Sequence, residues 1–323
     1  MIAGLFPMLF GYLSPAGARG RLSILIFHRV LPQPDPLFPD EPDAARFEQQ
    51  MRWITRWFNV LPLSEAVARL QAGALPARAL AITFDDGYAD NATVAAPLLQ
   101  RLGLTATFFV ATGVLGGGRM WNDTVIEALR RAPDGPLDLG PLGLGRFSLT
   151  DAASRRVAIE RVIGAIKRLP YGERRDLVER IAATVGVPLP DDLMMSAAQV
   201  RELVTLGMSV GGHTVTHPIL RSLDDATAEQ EIARGRDDLV QITGEPIELF
   251  AYPNGVPGVD YDARHVAMAR RCSFAAAVST AHGVATRGAD LYQLPRFTPW
   301  DRIQVRYALR MAGNLMRPEF AVA

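Results

Sequence analysis

Short apolar runs rich in β-branched and aromatic residues alternate along this chain with longer stretches of helical periodicity. The runs lie at 22–28, 80–84, 105–112, 208–213, 247–253 and 274–279. Several are almost continuously apolar, which is typical of strands buried on both faces of a parallel sheet. Helical patterns lie between them at 45–58, 90–102, 223–243 and 261–271. This alternation predicts an α/β fold built on parallel strands.

The stretch from about 119 to 195 departs from this alternation. It contains a Gly/Pro-rich segment at 133–145 and two strongly charged helical patterns at 151–168 and 172–185. No polar linker brackets it, so we predict a helical insertion within a single domain spanning 1–323. After it, Ser196 with Gln199, and Ser222 with Asp225, have the spacing of capping boxes and predict two further helix starts.

Residues 1–13 are apolar, but no basic residue precedes them and Gly4, Pro7 and Gly11 interrupt them. They therefore fit neither a signal peptide nor a membrane span. One interpretation is an interfacial anchor whose side chains contact lipid: Phe6, Leu9, Phe10 and Leu13. The other is a terminal segment packed on the fold. We expect a cytoplasmic protein and leave open a peripheral membrane contact through residues 1–13.

The composition excludes some classes of protein. Of 323 residues, 49% are hydrophobic, which is enough to bury a sizeable core. Lys plus Arg and Asp plus Glu both number 34, so the net charge is zero and no nucleic-acid partner is indicated. The single cysteine, Cys272, excludes an internal disulfide and a Cys-based zinc cluster, and it fits a reducing compartment.

Polar residues follow several predicted strands, at the edge where ligands of parallel α/β folds gather. The first strand ends in His28, the second in Asp85 and Asp86, and the fourth in His213. One histidine at a strand end is usually a core residue. Three of the chain's five histidines, counting His217, at or just beyond such ends, together with two carboxylates, indicate a functional site.

The stretch GGHTVTHP at 211–218 places His213 and His217 four residues apart, so a turn or tight loop can aim both imidazoles at one point. Two imidazoles and a carboxylate suit a divalent cation with open positions. Thr214 stands where an HExxH protease carries its glutamate. In TFDDG at 83–87, one aspartate could bind the cation while the other acts as a general base. Alternatively, the pair caps a helix or forms a turn before Gly87.

TFDDG, HTVTH at 213–217 and FAYPNG at 250–255 together resemble the polysaccharide deacetylase family, also called NodB-homology or carbohydrate esterase family 4 proteins. The resemblance covers about 22–300, and the insertion is less typical. FHRV at 27–30 is similar to the branch with exopolysaccharide and poly-N-acetylglucosamine deacetylases. The resemblance implies a distorted (β/α)7-type barrel that hydrolyses N-acetyl, less often O-acetyl, groups of sugars with a divalent metal.

The resemblance also implies roles for single residues. Asp85 matches the catalytic base, and the metal ligands are Asp86, His213 and His217. Tyr252 matches the tyrosine whose backbone N–H helps to hold the oxyanion. Pro253, which lacks an N–H, fixes the turn after it, and Pro253 and Asn254 are expected to line the substrate site. The ligand set suits zinc most readily, and also cobalt, nickel or iron.

Two motifs depart from the family pattern. Its third motif usually begins with an arginine that orients the catalytic Asp, where this chain has Phe250-Ala251-Tyr252-Pro253. Its fifth is Leu-x-His, where this chain has Leu294-Pro295-Arg296. We hypothesise that Arg296, at the end of a late strand, pairs with Asp85, and that His28 is the general acid. The alternatives are a surface or packing arginine and a histidine that holds the first loop.

MWND at 120–123 is a candidate sugar contact. Trp121 could stack on a sugar ring while Asn122 or Asp123 reaches its hydroxyl groups. Alternatively, Trp121 belongs to the core of the insertion and Asn122 caps a helix. Trp300 presents the same choice between sugar contact and packing.

The sequence therefore predicts a metal-dependent hydrolase that removes N-acetyl groups from N-acetylhexosamine units of a polysaccharide or oligosaccharide, releasing acetate. Its partner would be an acetylated glycan, with a place in exopolysaccharide biosynthesis. One alternative is hydrolysis of another non-peptide C–N bond. Another is a catalytically silent carbohydrate-binding barrel, although binding alone needs no spare base such as Asp85.

Overall fold

The computed structural model describes residues 5–318 and 320–323, so residues 1–4 of the predicted N-terminal segment lie outside the described part. No helix in these ranges combines the length and apolar character needed to cross a membrane. The chain forms one large curled sheet with helices around it, and a small two-stranded sheet within the insertion.

The large sheet is parallel throughout. Its strands pair in the order β1-β3-β4-β7-β8-β9, and β2 pairs with β3 off this path. The bounds are β1 Ser23–Phe27, β2 Asn59–Val60, β3 Ala79–Phe84, β4 Thr107–Val110, β7 Ser209–Gly212, β8 Leu249–Ala251 and β9 Ala276–Val278. All six residues of β3 are buried, as expected for a central strand covered on both faces. The predicted α/β barrel-like fold is confirmed.

The helices complete the alternation. Their bounds are α1 Leu5–Leu13, α2 Ala44–Trp57, α3 Leu63–Ala72, α4 Ala96–Arg101, α5 Trp121–Arg131, α6 Ala152–Ile166, α7 Tyr171–Val185, α8 Ala197–Thr205, α9 Asp225–Thr243, α10 Ala263–Arg271 and α11 Gln304–Leu315. The predicted capping box of Ser196 and Gln199 starts α8. The start predicted for α9 is wrong. Asp224 is its N-cap, whereas the Ser222 hydroxyl donates to the carbonyl of Ile219.

A short segment, residues 294–298, joins the two ends of the curled sheet. Leu294 forms a parallel bridge with Val278 of β9. Phe297 N–H donates to Ile24 O at 2.9 Å, and Ile26 N–H donates to Thr298 Oγ1 at 2.8 Å. We call this segment the seam. Arg296 therefore lies in an extended connection and not at the end of a regular strand, so that detail of the prediction is wrong.

The insertion lies between β4 and β7. It contains α5, α6, α7 and a hairpin of β5 (Gly135–Asp138) and β6 (Arg146–Leu149). These elements share an apolar cluster of their own, which Leu37 and Phe38 of the first loop also join. The insertion is thereby attached to the loop that follows β1, next to the carboxyl ends of the strands.

The N-terminal segment forms a helix on the outside of α2. Phe6 and Phe10 are buried, with ring centroids 5.4 and 5.8 Å from Trp57. The predicted contact of these two phenylalanines with lipid is therefore wrong. Of the other two predicted residues, Leu9 is exposed and Leu13 is half-buried. The other exposed apolar side chains of α1 are Leu5, Met8 and Tyr12.

Candidate active site

The two aspartates of TFDDG follow β3 directly and separate into two environments. Asp85 N–H continues the pairing with β1 by donating to Phe27 O at 2.9 Å. Asp86 then adopts a left-handed φ of 76°, and Gly87 one of 92°. This sharp turn sends the two carboxylates to different partners, which relieves the repulsion expected of adjacent like charges.

Asp85 is held by Arg296, as the sequence predicted. Arg296 Nη1 donates to Asp85 Oδ1 at 2.6 Å and Nη2 donates to Oδ2 at 2.7 Å. Both side chains are buried, and Arg296 Nε also donates to Ser279 O at 2.9 Å. Burial opposes ionisation of Asp85, but the Arg296 charge and nearby His213 hold its pKa below the usual value. Asp85 is therefore an oriented carboxylate at neutral pH.

Asp86 lies against both histidines of HTVTH. Asp86 Oδ1 is 3.4 Å from His213 Nε2 and 3.4 Å from His217 Nε2, and one ligand atom from each of the three lies within 4.8 Å of the others. A tetrahedral zinc with bonds of about 2.1 Å would separate its ligand atoms by about 3.4 Å. The spacing and the donor types therefore fit a divalent metal at Asp86, His213 and His217.

A hydrogen bond to the backbone orients the ring of His213. His213 Nδ1 lies 2.7 Å from Ala251 O, and donation to this carbonyl leaves Nε2 with its lone pair toward Asp86. Burial opposes a charge on His213, but Asp86 and Asp85 raise its pKa. Burial, with His213 and His28 nearby, lowers the pKa of His217 to about 4 despite Asp86. His217 is therefore neutral at pH 7.

The loop that carries His217 is held in place by α9. The Glu231 carboxylate accepts from Val215 N–H at 3.0 Å, from Thr216 N–H at 2.8 Å and from the Thr216 hydroxyl at 2.9 Å. Thr214 and His217 have left-handed φ values of 67° and 53°. Such backbone strain persists only where surrounding contacts enforce it. Sequence reasoning missed Glu231, whose only signal was a glutamate inside the helix that follows HTVTH.

A cleft of about 330 Å³ opens over these groups. Asp85 and the Asp–His–His cluster line it. Most of the rest of its lining comes from the first loop, the insertion and the turn after β8, and includes His28, Trp121, Asn122, Asp123, Lys167 and Asn254. His28 lies at the end of β1, as predicted. The loop after it is held by other groups, because Asn91 Nδ2 donates to His28 O at 2.9 Å and Asp90 accepts from Arg29 Nε at 2.8 Å.

Tyr252 does not line the cleft. Its N–H donates to Val278 O at 3.3 Å, its hydroxyl donates to Tyr292 O at 3.0 Å, and its ring stacks on Tyr261. The prediction that this N–H faces the substrate is therefore wrong, because sheet pairing with β9 uses it. Pro253 is buried and is not among the residues that line the cleft, so its predicted place in the substrate site is wrong. Asn254, which follows it, has a left-handed φ of 58° and does line the cleft.

The MWND motif begins α5 at the edge of the cleft. Trp121 is half-buried, and the Arg174 guanidinium lies 4.8 Å from its ring centroid. Asp123 is buried with one oxygen, Oδ2, lacking a hydrogen-bond partner, while Oδ1 accepts from the Tyr88 hydroxyl at 3.2 Å. Burial raises the pKa of Asp123 to about 7. Trp300 packs edge-on against Phe27 and is not among the residues that line the cleft.

The fold is a parallel half-barrel, and its site combines an Asp–His–His cluster with a carboxylate held by an arginine. Comparison with known proteins identifies the family that has this fold. The sequence model of the family described as Polysaccharide deacetylase matches residues 72–132 and 191–277, on either side of most of the insertion. The chain belongs to the polysaccharide deacetylase family.

Individual relatives are distant. YxkH of Bacillus subtilis (strain 168), named as a candidate polysaccharide deacetylase, is 21% identical over 278 residues, or 85% of this chain and 70% of that protein. The Streptococcus pyogenes deacetylase PplD, solved with acetate, superposes with a TM-score of 0.60 at 19% identity, covering 91% of this chain and 98% of PplD. IcaB from Ammonifex degensii gives 0.56 at 21% identity, with coverage of 91% and 98%. At these identities the structural likeness establishes the fold.

Proposed function

We propose that this protein is a metal-dependent deacetylase that hydrolyses the N-acetyl groups of N-acetylhexosamine units in a glycan. The observation that carries the proposal is the ionised Asp85, clamped by Arg296 next to the cluster of Asp86, His213 and His217. A binding module needs no oriented carboxylate of this kind. The FHRV motif, which is similar to the branch with exopolysaccharide and poly-N-acetylglucosamine deacetylases, favours a poly-N-acetylhexosamine substrate.

A divalent metal held by Asp86, His213 and His217 would supply Lewis acidity and lower the pKa of bound water. Asp85 is the base that accepts a proton from the attacking water, because its carboxylate is fixed and ionised. We assign the N–H of Asn254 as a donor toward the acetyl oxygen, in place of Tyr252. Each turnover consumes one water molecule and produces one acetate and one free amino group on the sugar.

His28 is proposed as the acid that delivers a proton to the leaving amine. Its ring lies at the end of β1 on the cleft, and holding the loop after it falls to Asn91 and Asp90. Trp121, Asn122 and Asn254, which line the cleft, are proposed to contact the sugar. Asp123 lines the same cleft, but its unpartnered Oδ2 is buried, so we assign it no sugar contact.

The test uses the metal-loaded protein, N-acetylglucosamine oligomers and an aryl acetate ester. Release of acetate from the oligomers is expected, and Asp85→Asn should remove about 10²-fold or more of the activity on both substrates. His28→Ala should lose a similar factor on the oligomers but keep near-normal turnover of the ester, because an aryl oxide leaves without protonation.

The matched control is His282→Ala, since His282 is exposed, its ring lies edge-on to Phe297, and it is not among the residues that line the cleft. It should leave both activities unchanged. Equal losses on both substrates for His28→Ala would show a structural role for that residue. No acetate from any acetylated hexosamine, by protein containing bound metal, would contradict the proposed function.

A further inference from the structure

Helix α1 is apolar on two opposite faces, and only one of them is covered. Its inner face, with Phe6 and Phe10, packs on α2. Its outer side chains recur at i, i+3, i+4 and i+7, and they include Met8 at 75% exposure and Tyr12 at 84%. A helix that is hydrophobic all round normally lies inside a protein or against lipid. The outer face of α1 therefore lacks the cover that its side chains require.

Helix α11 continues this surface beside α1, with which it is in contact. Val305, Leu309 and Met316 are exposed, and in a helix of 3.6 residues per turn they form one stripe. Each is followed directly by an arginine, so a basic stripe runs alongside the apolar one: Arg306, Arg310 and Arg317. Arg310 is paired with Asp301 at 2.5 Å, so the charge available to a partner is that of Arg306 and Arg317. Residues 304–315 contain no Asp or Glu.

We infer that α1 and α11 form a docking surface for an anionic membrane. We call these residues together the α1/α11 surface. Its apolar part is Leu5, Met8, Leu9, Tyr12, Val305, Leu309 and Met316, and its basic part is Arg306, Arg310 and Arg317. Exposed apolar residues flanked by arginine are the pattern of helices that lie in the interface of an anionic bilayer.

Charge decides between a membrane and a second copy of the chain. The whole chain is neutral, with 34 basic and 34 acidic residues, so the arginine stripe is a local excess. In a symmetric dimer the stripe would face the same arginines of the second copy, and the acidic side chain beside it, Asp301, is already paired with Arg310. A layer of acidic headgroups supplies the complementary charge. The inference therefore extends the predicted membrane contact from the N-terminal segment to the last helix.

The first residues of α11 lie near the cleft, whereas its last residues lie at the other end of the sheet, where the Arg21 guanidinium, just before β1, donates to Leu315 O. Trp300, four residues before α11, packs edge-on against Phe27, the last residue of β1, and His28 of the cleft follows immediately. Arg46 of α2 donates to Trp300 O at 2.5 Å and holds the segment that leads into α11 against the fold. The α1/α11 surface therefore runs along the side of the fold, and its end near Trp300 is the part close to the cleft.

The test is sedimentation of the full chain with vesicles of phosphatidylcholine, alone or with about a third phosphatidylglycerol. Binding is expected to the acidic vesicles only and should weaken as salt is added. Met8→Asp and Leu309→Asp should each abolish most of it. Arg306→Gln with Arg317→Gln should weaken it about 25-fold, from about five-fold per arginine.

Val157→Asp is the matched control, because Val157 is similarly exposed on α6 of the insertion, away from this surface. It should bind like the unaltered chain, and all variants should keep their melting temperature, since the altered side chains are exposed. Absence of binding to acidic vesicles would overturn the inference. So would self-association that Leu309→Asp dissolves without any vesicle binding, which would assign the surface to a second copy. Neither result depends on deacetylase activity.

Discussion

The Arg296–Asp85 pair is a buried charge pair in which hydrogen bonds replace lost hydration. Arg296 is fully buried, and its guanidinium donates to both oxygens of Asp85, to Ser279 O and to the Thr83 hydroxyl. A buried pair of this kind contributes little net stability, but removing one partner leaves an uncompensated charge. The pairing therefore serves orientation and ionisation of the base more than the stability of the fold.

Arg296→Lys keeps the positive charge and loses the two-pronged contact. We expect kcat to fall about 10- to 100-fold with little change in KM, because Asp85 is no longer held in one orientation. Asp85 would also lose part of the interaction that lowers its pKa, so the acidic limb of the pH–rate profile should move to higher pH. Steady-state kinetics across pH measures both effects.

The control for this prediction is Arg201→Lys, at an exposed position on α8. It should leave kcat and the pH profile unchanged. A profile for Arg296→Lys that falls in amplitude without moving would mean that the arginine only supports packing.

The sequence was sufficient to predict the Arg296–Asp85 contact. The arginine that usually orients the catalytic Asp is missing from the third motif, and Arg296 stands in the fifth motif where the family has a histidine. The sequence was not sufficient for Tyr252. Whether a backbone N–H faces a cleft depends on where the last ladder hydrogen bond falls, and β8 and β9 pair through Ala251 and Val278. Only beyond that point does the left-handed Asn254 turn the chain into the cleft.

At the scale of elements, α9 supports the loop that carries His217. Glu231 binds the loop from below, and Gly235, one turn further along, lets the loop approach the helix. A Cβ at Gly235 would lie 2.7 Å from the carbonyl carbon of Thr214, which is closer than real Cβ contacts. A single missing methyl group thus allows helix and loop to pack at this distance.

Gly235→Ala should therefore displace the loop. We expect metal affinity to fall about 10- to 100-fold and the free energy of unfolding to fall by about 1–3 kcal/mol. Metal titration followed by calorimetry measures the first effect, and denaturant unfolding measures the second.

Gly164→Ala on α6 is the matched substitution, since a Cβ there meets nothing within 4 Å. It should raise the free energy of unfolding by about 0.5–1 kcal/mol and leave metal binding unchanged. Equal behaviour of the two variants would contradict the role given to Gly235.

The apolar runs predicted the large strands to within a few residues because both faces of these strands are buried. The hairpin of β5 and β6 was missed, since a Gly/Pro-rich stretch gives no alternating pattern and β5 alternates between half-buried and exposed positions. Helix α11 was also missed, although it buries one apolar face, with Tyr307, Met311 and Leu315, and exposes its arginines on the other.

At the scale of the whole molecule, the metal-ligand cluster joins Asp86 after β3 to the loop after β7. Metal bound only by the folded state adds stability, about 2.7 kcal/mol at a hundred times its Kd. We expect zinc to raise the melting temperature by several degrees at neutral pH. Asp86→Ala should abolish this increment.

The rise in melting temperature that zinc produces should become smaller as the pH falls. The pKa of His213 is raised in the metal-free fold, so that fold gains stability from a proton on His213 below the ordinary histidine pKa. Metal must displace this proton, so acid weakens metal binding. His217, with a pKa of about 4, adds no competition until lower pH. Thermal melts with and without zinc, from pH 8 to about 5, measure the change, and an increment that does not vary with pH would contradict it.

The seam has a consequence for motion. Residues 294–298 hold β9 to β1 through a few hydrogen bonds and no regular ladder, so this junction is a natural place for the barrel to open locally. Arg296 lies in the middle of the seam. Each opening would strip Asp85 of its counter-charge at once, so the fluctuating population would be inactive as well as open. Local opening of the barrel and loss of the oriented, ionised base would then occur together.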